Sequence, residues 1–284
     1  MRVSELFRRS SPPPALLRAT AFTLIELLVV IAIIALLAGM LLPVLGKAKL
    51  RASATFTLNS LKQHGVAWRL YADDSEDRLV QVHLWWNPLS AFGGANIKNT
   101  NAWVIGDVSN ADSTTYYMPG DAATMGYPTN LIGLTRTAYY RYVNDVKLYR
   151  CPADKSMWNG TPKVRSYSAN SFMAGRDIFG GGGIVFFRGA EIDRPSDRFV
   201  FIDEHEGSIN DGFFAVNMSP TAATMNDIPT AHHSGAYAMS FADGHTEMIK
   251  LMDSRTRTWT AGNIPNAPTV NQDWRTLTNY ATAN

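Results

Sequence analysis

The chain has 284 residues, 46% of them apolar, with 26 lysines and arginines against 24 aspartates and glutamates and a formal net charge of +2. That is enough for one membrane helix and one globular domain of ordinary size. Four of the arginines (Arg2, Arg8, Arg9, Arg18) precede residue 22, and without residues 1–21 the chain keeps 22 basic against 23 acidic side chains, so no basic stripe for nucleic acid remains. Cys151 is the only cysteine, which excludes an internal disulfide and reads as a small buried hydrophobe.

In chain order, residues 1–21 join the arginines to Ser10-Ser11-Pro12-Pro13-Pro14, a composition that opposes a folded element and reads as a cytoplasmic, disposable leader. From Phe22 to Leu45 only Thr23 and Glu26 are strongly polar, and about 20 apolar residues cross a bilayer as a helix. The run is longer than the core of a secretory signal peptide, and no Ala-x-Ala follows it. Glu26 is the informative residue, because an ionisable group in such a segment is costly and ordinarily has a partner. Lys47, Lys49, Arg51 and Lys62 balance the leader arginines, so charge counting does not set the orientation.

Ala21-Phe22-Thr23-Leu24-Ile25-Glu26 with its apolar continuation resembles the class III leader of type IV prepilins and type II secretion pseudopilins. The resemblance implies cleavage between Ala21 and Phe22 by a prepilin peptidase, N-methylation of Phe22, a role for Glu26 in subunit assembly, and a helix loosened or kinked at Pro43. The family strongly prefers Gly where this chain has Ala21. It also implies the partners: other pilin or pseudopilin subunits, an assembly platform, and the cytoplasmic membrane, crossed once with the head on the extracytoplasmic side. A free Phe22 amine would neutralise Glu26 of an adjacent subunit while apolar side chains pack helix on helix.

Beyond Pro43 the apolar residues narrow to one face: Ala54, Leu58, Leu61, Gly65, Trp68 and Tyr71 or Ala72 recur every three or four residues. This predicts an amphipathic continuation ending near Ala72, for a helix of roughly 75 Å at 1.5 Å per residue. From residue 75 onward, short runs alternate with Gly, Pro, Asn and Asp. Arg198–Ile202 and Gly212–Val216 read as strands, 85–135 fits no element, and Trp85, Trp86, Trp103, Tyr116, Tyr117 and Trp158 read as core rather than as a binding platform. The expected fold is α+β and pilin-like: a leader (1–21), a transmembrane helix (22–45), its amphipathic continuation (46–74), and a head (75–284) with an antiparallel sheet and long loops.

Residues 236–250 predict a hairpin with Asp243-Gly244 as a two-residue turn, setting Phe241 opposite Thr246 and Met239 opposite Met248. His233 and Asp243 are separated by nine residues. That His-x9-Asp-Gly spacing resembles the C-terminal segment of a large branch of prepilin-type proteins, as do Tyr149-Arg150-Cys151-Pro152-Ala153-Asp154 and Arg165-Ser166-Tyr167-Ser168-Ala169-Asn170.

Asp203, Glu204, His205, Glu206, His232, His233, Asp243 and His245 are the ionisable residues that could converge in the head, with Asp203, Glu204, His233, Asp243 and His245 the candidate metal ligands. Imidazole in the set favours zinc, manganese or iron over calcium. No spacing is a recognised ligand motif, so the expectation is structural: Asp243 makes the turn, His233 braces a loop, Asp203-Glu204 ends a strand, and no cofactor is required. No nucleophile elbow, phosphate loop or zincin helix accompanies them, so no enzyme is expected. The chain therefore reads as a structural pilin or pseudopilin subunit. The alternatives are a membrane-tethered surface protein binding a ligand or metal, and a tethered hydrolase.

Overall fold

The computed structural model describes residues 23–82, 101–104, 108, 129, 131–219, 224–260, 264–265 and 271–283. The leader, Phe22 and most of 85–135 fall outside them, as do Trp85, Trp86, Tyr116 and Tyr117. The chain divides into two compact units, Met1–Lys47 and Ala48–Asn284.

Helix α1, Leu24–Asp74, runs through the boundary between the units. Its first part has no polar face: Leu24, Ile31, Leu37, Leu42 and Leu45 are all exposed. A helix apolar all round belongs in an apolar medium, and this stretch is long and apolar enough to cross a membrane. Pro43 lies within the continuous helix, where it removes one amide donor.

Within the second unit, α1 buries the predicted stripe, including Leu61, Gly65, Trp68, Tyr71 and Ala72, together with the polar Thr57, Ser60 and His64. The helix ends at Asp74, the boundary expected for the amphipathic continuation, where Glu76 and Asp77 turn left-handed (φ 58° and 63°) and the Asp77 amide donates to the Ala72 carbonyl at 2.8 Å.

The head is built on a five-stranded sheet. Strands β1 (Met157–Trp158) and β2 (Thr161–Pro162) form a separate small ladder, as do β6 (Thr224–Met225) and β9 (Ile264–Pro265). The main sheet has the order β5 (Phe213–Phe214), β3 (Tyr167–Asn170), β4 (Phe199–Asp203), β7 (Ala236–Phe241), β8 (Thr246–Lys250). The α+β, pilin-like class holds. The sheet is mixed rather than wholly antiparallel, because β5 skips past β4 and pairs parallel with β3. Both faces are covered, so β3 and β4 are buried along their whole length. On one face Leu61, Ala67 and Trp68 of α1 pack with Tyr167, Ala169, Phe201 and Ala238. On the other, Phe199, Phe214, Tyr237, Met239 and Phe241 pack with Leu277 and Ala281 of helix α2, Gln272–Ala281. Asn271 starts α2 by accepting from the amides of Asp273 and Trp274 at 2.8 and 3.1 Å, an N-cap the sequence reading overlooked.

The hairpin forms one residue out of the expected register, with Ser240 opposite Thr246, Met239 opposite Glu247 and Ala238 opposite Met248. The cause is the loop. The Gly244 amide donates to the Phe241 carbonyl at 2.9 Å, Gly244 sits at φ 93°, and the Phe241 amide donates to the His245 carbonyl at 2.9 Å. This is a three-residue connection, a turn followed by one left-handed glycine, in place of the two-residue type I′ turn. Phe241 and His245 consequently share a face and stack, their ring centroids 4.2 Å apart. Ahead of Cys151 the chain forms single helical turns at Tyr140–Val143 and Val146–Tyr149.

Candidate functional site

Two places carry chemistry. The first is the start of α1. The Thr23 amide and hydroxyl both donate to Glu26 Oε2, at 2.8 and 2.7 Å, while the Glu26 amide donates to Thr23 Oγ1 at 3.2 Å. This is a reciprocal capping box, which Thr23-x-x-Glu26 spells in the sequence, in addition to the intersubunit partner expected of Glu26. It also places the carboxylate at the positive end of the helix dipole.

The second lies in the head, on the sheet face that packs against α1. Side chains alternate along a strand, and Asp203 is opposite Tyr167, so both point to the α1 side whereas Glu204 points to the other. The segment after β4 folds back along its end: the His205 amide donates to the Ile228 carbonyl at 2.8 Å and the Thr230 amide to the Asp203 carbonyl at 3.1 Å. A tight turn with Ser234 and Gly235 at positive φ then delivers His233 to Asp203. Cys151 completes the cluster, and its placement explains the two central sequence motifs. Ser166 Oγ accepts from the Cys151 amide at 3.1 Å and donates to Asp154 Oδ2 at 2.6 Å. Arg150 donates to the carbonyls of Asp154, Ser156 and Lys163. The two motifs thus lock together and fix the thiol.

His233 Nε2 is 3.1 Å from Asp203 Oδ2 and 3.5 Å from Cys151 Sγ, while Thr57 of α1 donates to the same sulfur at 3.2 Å. Cys151 and Asp203 are fully buried and His233 nearly so. Burial pushes the Asp203 carboxyl up. Burial and the nearby Asp203 charge oppose ionisation of the Cys151 thiol, but hydrogen bonding to His232, His233 and Thr57 holds it below the ordinary thiol value. Burial alone would lower His233, yet its contacts with Asp203 and Cys151 lift it to about 9. His232 lies on the outer side, 2.9 Å from Glu206 Oε2. Burial opposes its proton as well, and Cys151 and Glu206 together lift it to about 10.

The remaining predicted residues are elsewhere. Glu204 is buried on the far face, accepting from Ser208 Oγ at 2.9 Å, with its carboxyl pushed well up by burial and then by Asp227. Asp243 and His245 sit in the hairpin, where Asp243 Oδ1 accepts from the His245 amide at 3.0 Å and lies 2.6 Å from His245 Nδ1. The expectation that Asp243 makes the turn therefore fits the geometry, while its convergence with His233 on one site does not. His205 Nδ1 accepts from the Gly207 amide at 3.0 Å and its ring meets Trp259 edge-on. Trp103 is core, as expected. Cys151 is free and buried, as the sequence leads one to expect; its nearness in the sequence to Asp154 and Ser166 gives no sign that it meets His233 and Asp203.

The head cluster lacks the layout of a thiol-histidine-carboxylate relay, in which the carboxylate holds one imidazole nitrogen and the thiol the other. Here Asp203 and Cys151 both approach Nε2, while Nδ1 of His233 is buried without a hydrogen-bond partner.

Residues 17–42 match the family described as the prokaryotic N-terminal methylation motif. With the apolar helix, this match supports a prepilin- or pseudopilin-type protein, a pilin-like chain that is processed by prepilin peptidase, anchored through its N-terminal helix and assembled with other pilin subunits. That class is structural and usually non-enzymatic. No curated protein and no solved structure matches the chain.

Proposed function

We propose that the mature chain is a structural subunit of a type IV pilus or type II secretion pseudopilus, cut between Ala21 and Phe22, methylated at Phe22, and seated with its head on the extracytoplasmic side. The observation that carries this reading is the methylation-motif match over a helix whose apolar stretch exposes leucine, isoleucine and valine on every side. Such a stretch is suited both to lipid before assembly and to neighbouring copies afterwards. Glu26, near the new amino terminus, supplies the one charge that can fix the axial register of subunits. Its capping box favours a second reading, a tethered surface protein, because Thr23 already satisfies part of its hydrogen-bonding capacity within the helix.

Mass spectrometry of protein from its native host, with fractionation of sheared filaments, separates the readings. The expected result is a methylated Phe22 terminus on chains recovered in the filament fraction. An intact Met1 terminus, or cleavage after Leu45, removes the prepilin reading. A correctly cut chain that stays monomeric in the membrane favours the tether.

A further inference from the structure

We propose that Cys151, Asp203 and His233 form a transition-metal site in the head, taking zinc through one sulfur, one oxygen and one imidazole nitrogen. The three ligand atoms lie within 4.8 Å of one another, and all three residues are buried. Zinc bound at about 2.3 Å to sulfur and about 2.0 Å to nitrogen and oxygen sets tetrahedral edges of roughly 3.5 Å between sulfur and nitrogen and roughly 3.3 Å between nitrogen and oxygen. The observed separations are 3.5 Å for Cys151 Sγ to His233 Nε2 and 3.1 Å for His233 Nε2 to Asp203 Oδ2, so two of the three edges already match those of a tetrahedral zinc site.

The hydrogen-bond inventory points the same way. Nε2 can carry only one proton, which cannot fully serve both the thiol and the carboxylate approaching it. A cation at the common point engages Cys151 Sγ, His233 Nε2 and Asp203 Oδ2 together, which a single proton on Nε2 cannot do. The donor set is mixed and partly soft, which suits zinc and excludes calcium and magnesium. His232 lies outside this set of three, with its Nε2 2.9 Å from Glu206 Oε2. The site ties α1 to the sheet: Thr57 donates to the ligating sulfur, and Asp203 ends the strand next to Tyr167, whose hydroxyl lies 3.5 Å from Thr57 Oγ1.

The test uses the full-length protein in detergent, stripped with a chelator and titrated with zinc, and separately with cobalt as a spectroscopic probe. The expected result is one equivalent per chain, a thiolate-to-cobalt charge-transfer band, and a melting temperature that rises with zinc. Cys151→Ser should abolish the band and weaken zinc binding at least tenfold. His233→Ala should weaken it further, while Asp243→Asn and His245→Gln should bind as the parent does. Cys151→Ser preserves side-chain size, so a folded variant is available even if Asp203→Asn does not fold. Absence of stoichiometric zinc binding by the parent chain overturns the proposal, as does binding that survives Cys151→Ser and His233→Ala unchanged.

Discussion

His64 offers the sharpest test of how α1 is held to the head. It sits in the middle of the helix stripe and is completely buried, with Nε2 3.1 Å from the Leu148 carbonyl and Nδ1 3.3 Å from the Tyr139 hydroxyl, which itself donates to the His64 carbonyl at 2.8 Å. Its ring meets Tyr149 edge-on with centroids 4.6 Å apart. Burial outweighs the hydrogen bond to Leu148 and lowers the imidazole from 6.5 to about 4. The unfolded chain therefore takes up a proton at a pH where the folded chain does not. The linked stability is intact above about pH 6.5 and is lost as the pH falls toward 4. At about 1.4 kcal/mol per tenfold difference in proton affinity, the loss comes to about 3 kcal/mol. For a domain of this size that is roughly 6–12 °C in melting temperature. The comparison is between the parent and His64→Gln, which keeps an N–H for Leu148 and does not titrate. Thermal unfolding of the full-length protein in detergent is followed by near-ultraviolet circular dichroism from pH 7.5 to 4.5. The variant should melt lower at neutral pH, having lost the aromatic contact, and the gap should close as the pH falls. Taking the difference between the two proteins cancels the opposing titration of the buried carboxylates Asp203, Glu204 and Asp227, whose raised values favour the folded state in acid. Parallel curves would refute a neutral, buried His64.

At the helix start, Glu26→Gln retains an oxygen for the Thr23 amide and removes only the charge, whereas Thr23→Val removes the hydroxyl from the capping box and leaves the charge; the cap is worth about 1 kcal/mol. If Glu26 acts in assembly, Glu26→Gln should be cut and inserted normally yet be depleted from the sheared-filament fraction on immunoblots, and Thr23→Val should be incorporated. The reverse pattern would assign Glu26 to capping alone. In the hairpin, Gly244→Val should lower stability by about 1–2 kcal/mol purely through backbone strain, because φ is 93° and an added Cβ meets nothing within 4 Å. Gly244→Asn should recover most of the melting temperature, and equal losses in both variants would contradict the left-handed assignment.

Much of this architecture is legible because its signals are local. Twenty-four residues with two polar side chains have one physical destiny, and the stripe from Leu61 to Ala72 marks a helix face by spacing alone. The polar part of that stripe is not legible. Thr57 and His64 are buried because a sulfur, a carbonyl and a tyrosine hydroxyl happen to meet them, and those partners lie 75 to 94 residues away. The hairpin shows a finer limit. Asp243-Gly244 announces a turn, but the two-residue and three-residue loops that contain it differ by one register, and a single register step exchanges the faces of β8 relative to β7.

The nine-residue interval between His233 and Asp243 is informative for a reason other than a shared site. His233 N accepts its place from the turn before β7, donating to the Ala236 carbonyl at 3.3 Å, and Asp243 closes the loop after β7, its amide donating to the Pro195 carbonyl at 3.2 Å. The interval is the length of one strand with its entry and exit, so the spacing is fixed by β7 while the two side chains work at opposite ends of it. Alternation along β4 separates Asp203 from Glu204 in the same way. Sequence neighbours on a strand are spatial strangers, and the partners of Asp203 had to come from other segments: Cys151 from the stretch between the helical turn Val146–Tyr149 and β1, and His233 from the turn before β7.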